Sequence, residues 1–356
     1  MTSRDARFTA ESVPVPDYAA VQGLHRSDPR APGIRRLRAA DFVRYVGSDG
    51  AEITDAPTLA RIRALAIPPA WRDAWIEPDP LGHIQATGVD SRGRTQYRYH
   101  QLWREQRDAQ KFDHMLRFAG ALPLLREATL ADLRHQELDR GRVVASAVRL
   151  IDLGLFRIGG ERYAELDHHY GVATLEKRHV SVGPDSVTFD YIAKEGKRRT
   201  ITVTDPALLA TIGALAGLDS SVDALFCWQD GGIWHPMHSH DIGAYIGGNA
   251  GGHYTAKEFR TWNATVLMAL LLASEGSPTS ARAATTTVRA AIGEVAAWLG
   301  DTPAVARASY IDPRIISRYL AAGELAGVPA GPASLPAGAQ AEQAVAALLR
   351  GKAHAD

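Results

Sequence analysis

The apolar residues of this chain change their spacing near residue 100. Between residues 34 and 100, apolar and polar residues alternate in short runs bounded by turn residues, which is typical of antiparallel strands. After residue 100, longer segments repeat their apolar residues at helical spacing. We therefore predict an α+β protein with a small N-terminal antiparallel β domain at 34–100 and a larger, mainly helical domain at 101–324.

Short runs of period two interrupt the helical region. They lie at 179–182, 187–192 and 200–203, and the last two flank the basic segment Lys194–Arg199. This pattern predicts a small three-stranded sheet with a basic hairpin tip. Helices dominate from residue 101, where a Trp/Arg/Gln-rich stretch at 101–118 leads through Pro123 to a helix predicted after Thr129.

The two ends of the chain differ from the rest in composition. Residues 1–33 are polar, and we interpret them as an N-terminal extension. Residues 325–356 begin with an Ala/Gly/Pro-rich stretch and close with a short amphipathic segment, which predicts a linker and a C-terminal tail.

Composition excludes several classes of protein. The 356 residues include 40 basic and 40 acidic side chains, so any nucleic-acid surface must be a local patch. The single cysteine, Cys227, excludes internal disulfides and a Cys-based zinc site. The sequence has neither a membrane-spanning apolar run nor a signal peptide, so we expect a cytoplasmic protein without membrane contact.

Two features invite a functional interpretation that the sequence does not favour. His235, His238 and His240 resemble a metal tract, but Pro236 disturbs the helical spacing that a zinc site needs, so we interpret this segment as a solvated loop. The glycine pairs lack the context of a phosphate loop and are interpreted as turns; they are Gly231-Gly232, Gly247-Gly248 and Gly251-Gly252.

The predicted hairpin at 83–99 is rich in residues that contact nucleic acid. Those residues are Arg92, Arg94, Gln96, Tyr97, Arg98 and Tyr99. A two-stranded ribbon fits the major groove of DNA, where Gln binds adenine edges and Arg binds guanine or phosphate. The alternative is a surface hairpin with polar residues facing solvent.

One aromatic and four basic residues suggest phosphoryl transfer when they are considered together. They are Arg157, Lys194, Lys257, Arg260 and Tyr310. Each basic residue alone is typical of a solvated surface charge, and a tyrosine at a helix end is typical of packing. As a set they supply a phenol nucleophile, guanidiniums for nonbridging oxygens and an ammonium that can protonate a leaving alkoxide, without a carboxylate cluster for Mg²⁺.

Four motifs occur in an order that identifies a resemblance. They are Gly93–Tyr99, Phe156–Gly160, Ile192–Lys194, and Lys257–Thr261 followed by Ser309-Tyr310. With them, the chain resembles the bacterial, poxvirus-like type IB DNA topoisomerases over roughly residues 34–322. The resemblance implies a two-domain clamp around duplex DNA, acting as a monomer in the nucleoid without metal, ATP or another cofactor.

The resemblance also implies roles for individual residues. Tyr310 matches the nucleophile that forms a 3′-phosphotyrosyl bond. Arg157 and Arg260 match the arginines that stabilise the transition state. Lys194 matches the general acid for the departing 5′ oxygen. The DNA contacts implied in the N-terminal domain are Gln96, Tyr97 and Tyr99, and we add Arg92, Arg94 and Lys257 from their charge.

Asp301 departs from the pattern of these enzymes. Its position usually holds His or Asn, which donates a hydrogen bond to a phosphate oxygen, whereas an ionised carboxylate accepts and repels phosphate. We interpret Asp301 as a helix cap, with protonation in the complex and slower cleavage as alternatives.

Two other protein classes fit parts of the pattern. A tyrosine recombinase uses the same chemistry, but usually has His where this chain has Lys257, and an N-terminal helical domain. A noncatalytic DNA-binding clamp is the second alternative, because Asp301 is compatible with lost turnover. Relaxation of supercoiled DNA distinguishes these classes.

Overall fold

The protein divides into two compact units. The computed structural model describes residues 23–38, 42–154, 156–330 and 337–351. The units are Met1–Lys111 and Phe112–Asp356. Most of the predicted N-terminal extension (1–22) and parts of the predicted linker and tail (331–336 and 352–356) lie outside the described residues.

The first unit is built on a five-stranded antiparallel sheet. Its strands are β1 Ile34–Arg38, β2 Val43–Val46, β3 Arg72–Ile76, β4 Ile84–Val89 and β5 Thr95–Tyr99, in the spatial order β2-β1-β3-β4-β5. The helix α1 (Ala56–Ala64) begins after Asp55, whose carboxylate accepts a 2.9 Å hydrogen bond from the Thr58 amide. Ile62 of α1 packs with Ile34 and Ile76 in a small core. The predicted antiparallel β region is confirmed.

The second unit is mainly helical. The helices after α1 are α2 Gln101–Asp132, which begins in the first unit, α3 Arg140–Asp152, α4 Glu161–Asp167, α5 Pro206–Ala216, α6 Ser239–Ala250, α7 Ala256–Glu275, α8 Ala281–Leu299, α9 Pro303–Ser309, α10 Pro313–Ala322 and α11 Ala339–Arg350. The predicted three-stranded sheet is confirmed as β6 Val180–Val182, β7 Val187–Ile192 and β8 Arg198–Val203, with β7 in the centre. A separate hairpin joins β9 Cys227–Asp230 to β10 Ile233–Pro236.

Helix α7 runs through the core of the second unit. It begins with a capping box, in which Thr255 accepts from the Lys257 amide and Glu258 accepts from the Thr255 amide. Most of its residues from Phe259 to Leu272 are buried. Because the core holds the backbone of α7 in place, it also fixes the positions from which α7 side chains extend toward the surface of the unit.

Three local predictions are wrong. No separate helix begins after Thr129, because α2 continues from Gln101 through Pro123 to Asp132, and Phe118, Leu122 and Leu125 around the proline are buried. Gly247-Gly248 lies inside α6, whose Ile242 and Ile246 are buried. The histidine tract is not a loop, since His235 is on β10 and His240 is in α6.

Helix α11 packs on the second unit. Its Ala341, Val345 and Leu349 are buried, and Glu342 forms a bidentate ion pair with Arg126 of α2, with N–O distances of 2.6 and 2.9 Å. The amphipathic segment within the predicted tail thus contributes to the core. Among the described residues, no helix is long and apolar enough to cross a membrane.

Candidate active site

Arg260 is a buried arginine in the second turn of α7. Its side chain is 7% exposed, and its Nη2 donates to the Leu299 carbonyl at 2.9 Å. That carbonyl is the last of α8, where Gly300 ends the helix in the left-handed conformation (φ 67°) and leaves the carbonyl without a partner within the helix. The negative end of the α8 dipole therefore helps to hold the guanidinium.

Arg157 reaches the same place from the segment after α3. Phe156 is buried against Phe189 and Tyr191, which fixes the start of this segment. The backbone of Arg157 accepts a 2.9 Å hydrogen bond from the Val172 amide. Another stretch of backbone comes close at Gly159 (φ 81°), where a Cβ would lie 2.8 Å from the Cα of Gly171.

The two guanidiniums share one carboxylate oxygen. The Oδ2 atom of Asp301 accepts from Arg157 Nη2 at 2.9 Å and from Arg260 Nη2 at 3.1 Å. Asp301 does not cap α9, because Thr302 is the N-cap residue and its hydroxyl accepts from the Val305 amide. The helix-cap interpretation of Asp301 is therefore wrong, and its carboxylate is instead the internal counterion of both arginines.

Tyr310 lies at the end of α9, beside Arg260. The Arg260 Cζ is 5.2 Å from the centre of the Tyr310 ring, within the range of a cation–π contact. Buried Thr265 of α7 holds the backbone on both sides, because its hydroxyl donates to the Tyr310 carbonyl at 3.2 Å and accepts from the Asp312 amide at 3.1 Å. The half-buried phenol is thus held by the same helix that carries Arg260.

Arg260 keeps unsatisfied capacity to donate. Its buried Nε has no hydrogen-bond partner among the described residues. Burial, followed by the nearby Arg157 charge, lowers the pKa of Arg260, although a guanidinium remains charged at neutral pH. A buried cation beside another cation, with an unused donor, favours binding of an anion.

Lys194 lies at the tip of the β7–β8 hairpin. Its side chain is 63% exposed, and its Nζ is 3.8 Å from Glu195 Oε1. Lys194 and Arg157 line the same open pocket of about 320 Å³. Lys257, three residues before Arg260, is exposed at the start of α7. The structure brings Arg157, Arg260, Asp301 and Tyr310 together, with Lys194 on a pocket that Arg157 shares.

The hairpin of β4 and β5 in the first unit carries the other candidates. Tyr97 and Tyr99 stack on one face of β5, with ring centres 5.8 Å apart, while Gln96 belongs to the opposite face. Asp90 accepts from the side chains of Gln96 and Arg94 at 3.0 and 2.9 Å. Arg92 is exposed at the turn. The predicted contacts are therefore divided between two faces and the turn.

Sequence reasoning missed three parts of the site. No sequence motif marks Thr265 or the Leu299 carbonyl. The Thr265 hydroxyl contacts backbone groups, and the Leu299 carbonyl is itself a backbone group, so neither contact depends on a recognisable partner side chain. Arg199 could have been found from the sequence, since it is in phase with buried Ile201 and Val203 along β8.

Within the described ranges, no three His, Cys, Asp or Glu side chains are arranged to hold a metal ion.

Comparisons with known proteins agree with both units. Residues 100–320, more than half of the chain, match the family model described as eukaryotic DNA topoisomerase I, catalytic core. Residues 42–90 match the model described as bacterial DNA topoisomerase IB, N-terminal domain. The first match contains every candidate of the second unit, from Arg157 to Tyr310.

Three curated relatives illustrate the range of similarity. DNA topoisomerase 1B of Acanthamoeba polyphaga mimivirus is 31% identical over 289 residues, which are 78% of this chain and 85% of the relative. DNA topoisomerase 1 beta of Arabidopsis thaliana is 27% identical over 172 residues, or 48% of this chain and 18% of that protein. DNA topoisomerase 1B of vaccinia virus (strain Western Reserve) is 21% identical over 125 residues, or 35% and 39%.

Proposed function

Because this chain belongs to the type IB DNA topoisomerase family, we propose that it relaxes supercoiled duplex DNA through a transient break in one strand. One strand is cut, the free end swivels about the intact strand, and the break is resealed. The phosphodiester energy is kept in a covalent bond to the protein, so the cycle requires neither ATP nor a metal ion.

The observation that carries the proposal is the pair of arginines on one oxygen. The Nη2 atoms of Arg157 and Arg260 lie 2.9 and 3.1 Å from Asp301 Oδ2, beside the ring of Tyr310. Two donors that converge on one anionic oxygen suit a nonbridging phosphate oxygen, whose charge increases in the transition state. Removing one such donor typically costs about 3–4 kcal/mol in the barrier.

Tyr310 is the proposed nucleophile. Its phenol oxygen attacks the scissile phosphorus and forms a 3′-phosphotyrosyl ester, while the bond from phosphorus to the 5′ oxygen breaks. The phenolic proton leaves to water, and Lys194 donates a proton to the departing 5′ oxygen. The exposed position of Lys194 on a hairpin tip supports this role, since a long side chain there can follow the leaving group.

Asp301 is proposed to give way to the phosphate. The phosphate and the carboxylate are both anions that bind the same two guanidiniums, so they compete. The scissile phosphate would take the hydrogen bonds that Asp301 now accepts from Arg157 and Arg260. The carboxylate keeps the arginines together in the DNA-free protein and must be displaced or screened during cleavage.

The first unit is proposed to contact the DNA outside the cleavage site. Tyr97, Tyr99 and Gln96 would bind groove edges and backbone, and Arg92 and Arg94 would bind phosphates. Lys257 would add a phosphate contact at the start of α7. We further propose that the protein closes as a clamp around DNA and acts as a monomer in the cytoplasm, at the nucleoid.

Relaxation of plasmid DNA in EDTA without ATP tests the proposal. Plasmids of both supercoil signs should relax, because swivelling has no preferred direction. A recombinase would need paired sites, and a protein that only binds would leave the topology unchanged. Failure to relax either plasmid at any enzyme concentration would contradict the proposal.

A further inference from the structure

Arg199 enters the second unit from the apolar side of the three-stranded sheet. Along β8 it is in phase with Ile201 and Val203, which are buried. Its partner on β7 is Tyr191, which is 4% exposed. A guanidinium at the end of this apolar row is directed away from the solvent-facing side, where Arg198 lies.

The Arg199 side chain ends at the turn that receives the two catalytic arginines. A Cβ on Gly300 would lie 3.0 Å from Arg199 Nη1, so the absence of a side chain on Gly300 makes room for the guanidinium. Burial raises the pKa of Tyr191 to about 12, and the charges of Arg199, Arg157 and Arg260 oppose that rise, which places all three near one phenol. Arg199, Arg157 and Lys194 line the same open pocket.

Arg199 differs from its basic neighbours in lacking a counterion. Arg198 is held by Asp190 at 2.5 Å, and Lys197 lies 3.4 Å from Glu195. Among the residues that the structure describes, no carboxylate lies within 4.0 Å of the Arg199 guanidinium. A half-buried guanidinium without an internal anion favours an anion from outside.

We propose that Arg199 binds a nonbridging oxygen of the DNA phosphate next to the scissile one. This inference rests on the proposed function, in which Arg157 and Arg260 bind the scissile phosphate itself. Arg199 touches no reacting atom and acts as a positioning residue, because it fixes the strand that the nucleophile must meet in line. The shared pocket gives the neighbouring phosphate a cation without displacing Asp301.

The test compares Arg199→Gln with Arg198→Gln, two losses of charge at adjacent residues on opposite faces of β8. Equilibrium affinity for a duplex is measured in the Tyr310→Phe background, together with single-turnover cleavage in the parent background. Arg199→Gln should weaken binding about 10- to 100-fold, the usual cost of a hydrogen bond to a charged group. Arg198→Gln should stay within about twofold, since Arg198 already pairs with Asp190.

Neutral methylphosphonates then locate the contact. A single methylphosphonate beside the scissile phosphate should weaken duplex binding by the protein with Arg199 intact as much as Arg199→Gln weakens binding to the ordinary duplex. On this modified duplex, the proteins with and without Arg199 should bind with equal affinity. At other phosphates, the loss of affinity from a methylphosphonate and the loss from Arg199→Gln should multiply. Melting temperatures show that the variants fold, and Arg199→Lys, which keeps the charge, should retain most of the affinity.

Two results would overturn the inference. One is an Arg199→Gln variant that binds and cleaves like Arg198→Gln. The other is that the affinity losses from Arg199→Gln and from a methylphosphonate multiply at every phosphate position, which would place Arg199 away from the DNA. Because affinity is measured without cleavage, the contact is tested even where no strand is cut, whereas absence of cleavage by the parent would count against the proposed function.

Discussion

Replacing Asp301 with Asn should raise the cleavage rate and lower the stability of the free protein. The substitution removes one negative charge while keeping the shape of the side chain. Asn can still accept a hydrogen bond from an arginine, and its amide can also donate one to a phosphate oxygen. The two effects have opposite signs because the carboxylate helps the DNA-free protein and hinders the complex.

The effect on cleavage follows from charge repulsion. A phosphate held by Arg157 and Arg260 would lie within about 5 Å of the Asp301 carboxylate, and at an effective dielectric of about 20 this repulsion is about 3 kcal/mol. That energy corresponds to about a hundredfold in rate. Movement of the carboxylate and screening by the arginines reduce it, so we expect cleavage about 10- to 100-fold faster.

The effect on stability follows from the two arginines left without a counterion. Arg260 and Arg157 are 7% and 24% exposed at their side chains, and Asp301 is 9% exposed. Breaking a buried pair by removing one partner costs about 3–5 kcal/mol. For a unit of this size, each kcal/mol lowers the melting temperature by about 2–4 °C. DNA should restore more stability to the variant than to the parent.

Asp152→Asn is the matched control. Asp152 is also buried between two arginines, Arg126 and Arg149, in the same unit. It should lower the melting temperature without any gain in cleavage, which is measured as single-turnover formation of covalent complex on a suicide duplex. If Asp301→Asn cleaves more slowly than the parent, the carboxylate is not an obstacle and the argument fails.

Three further predictions concern the hairpin tip, the glycine contact and the β4–β5 turn. Lys194→Ala should slow single-turnover cleavage about 10²- to 10⁴-fold with little change in DNA affinity, as expected for a lost general acid; an unchanged rate would contradict that role. Gly159→Ala should lower the melting temperature by several degrees, since its Cβ would meet Gly171 at 2.8 Å, whereas Gly243→Ala, in open space on α6, should not. The pKa of Asp90 is lowered to about 2, chiefly by the Arg94 amide, so the turn should hold as pH falls from 7 to about 4 and open only near pH 2. A carboxyl NMR midpoint near 4 would contradict this.

Periodic patterns predicted most of the architecture. The alternation at 187–192 and 200–203 predicted a hairpin because the sheet buries one face, and the structure contains it as β7 and β8. Helix α5 also has local signals at both ends, since the Asp205 side chain caps its start, Pro206 is its first residue and Gly217 follows its end. These local signals agree with the tertiary structure, which is why the sequence was sufficient.

Predictions failed where tertiary contacts override local signals. Pro123 is tolerated within α2 because buried residues on both sides hold the helix together. Gly247 and Gly248 remain helical because Ile246 anchors that turn of α6. Local sequence preference does not include the burial of these neighbouring side chains, so the segments by themselves do not reveal that they remain helical.

The sequence predicted which residues form the candidate site, but not the ion pairs that they make with one another. Motif order selected Arg157, Arg260 and Tyr310, which the fold brings together from α3–α4, α7 and α9. The shared carboxylate of Asp301 could not be foreseen, because it depends on how the turn after α8 directs one side chain. The Leu299 carbonyl is invisible in sequence for the same reason.

Covalent capture on a suicide duplex tests the central claim most directly. The parent protein is incubated with a duplex from which the short downstream fragment, bearing the new 5′ hydroxyl, dissociates on cleavage. Digestion and mass spectrometry should then find a nucleotide on Tyr310, attached through its 3′-phosphate. Tyr310→Phe should form no adduct and relax no plasmid. An adduct on another residue, or relaxation by Tyr310→Phe at the parent rate, would contradict the account.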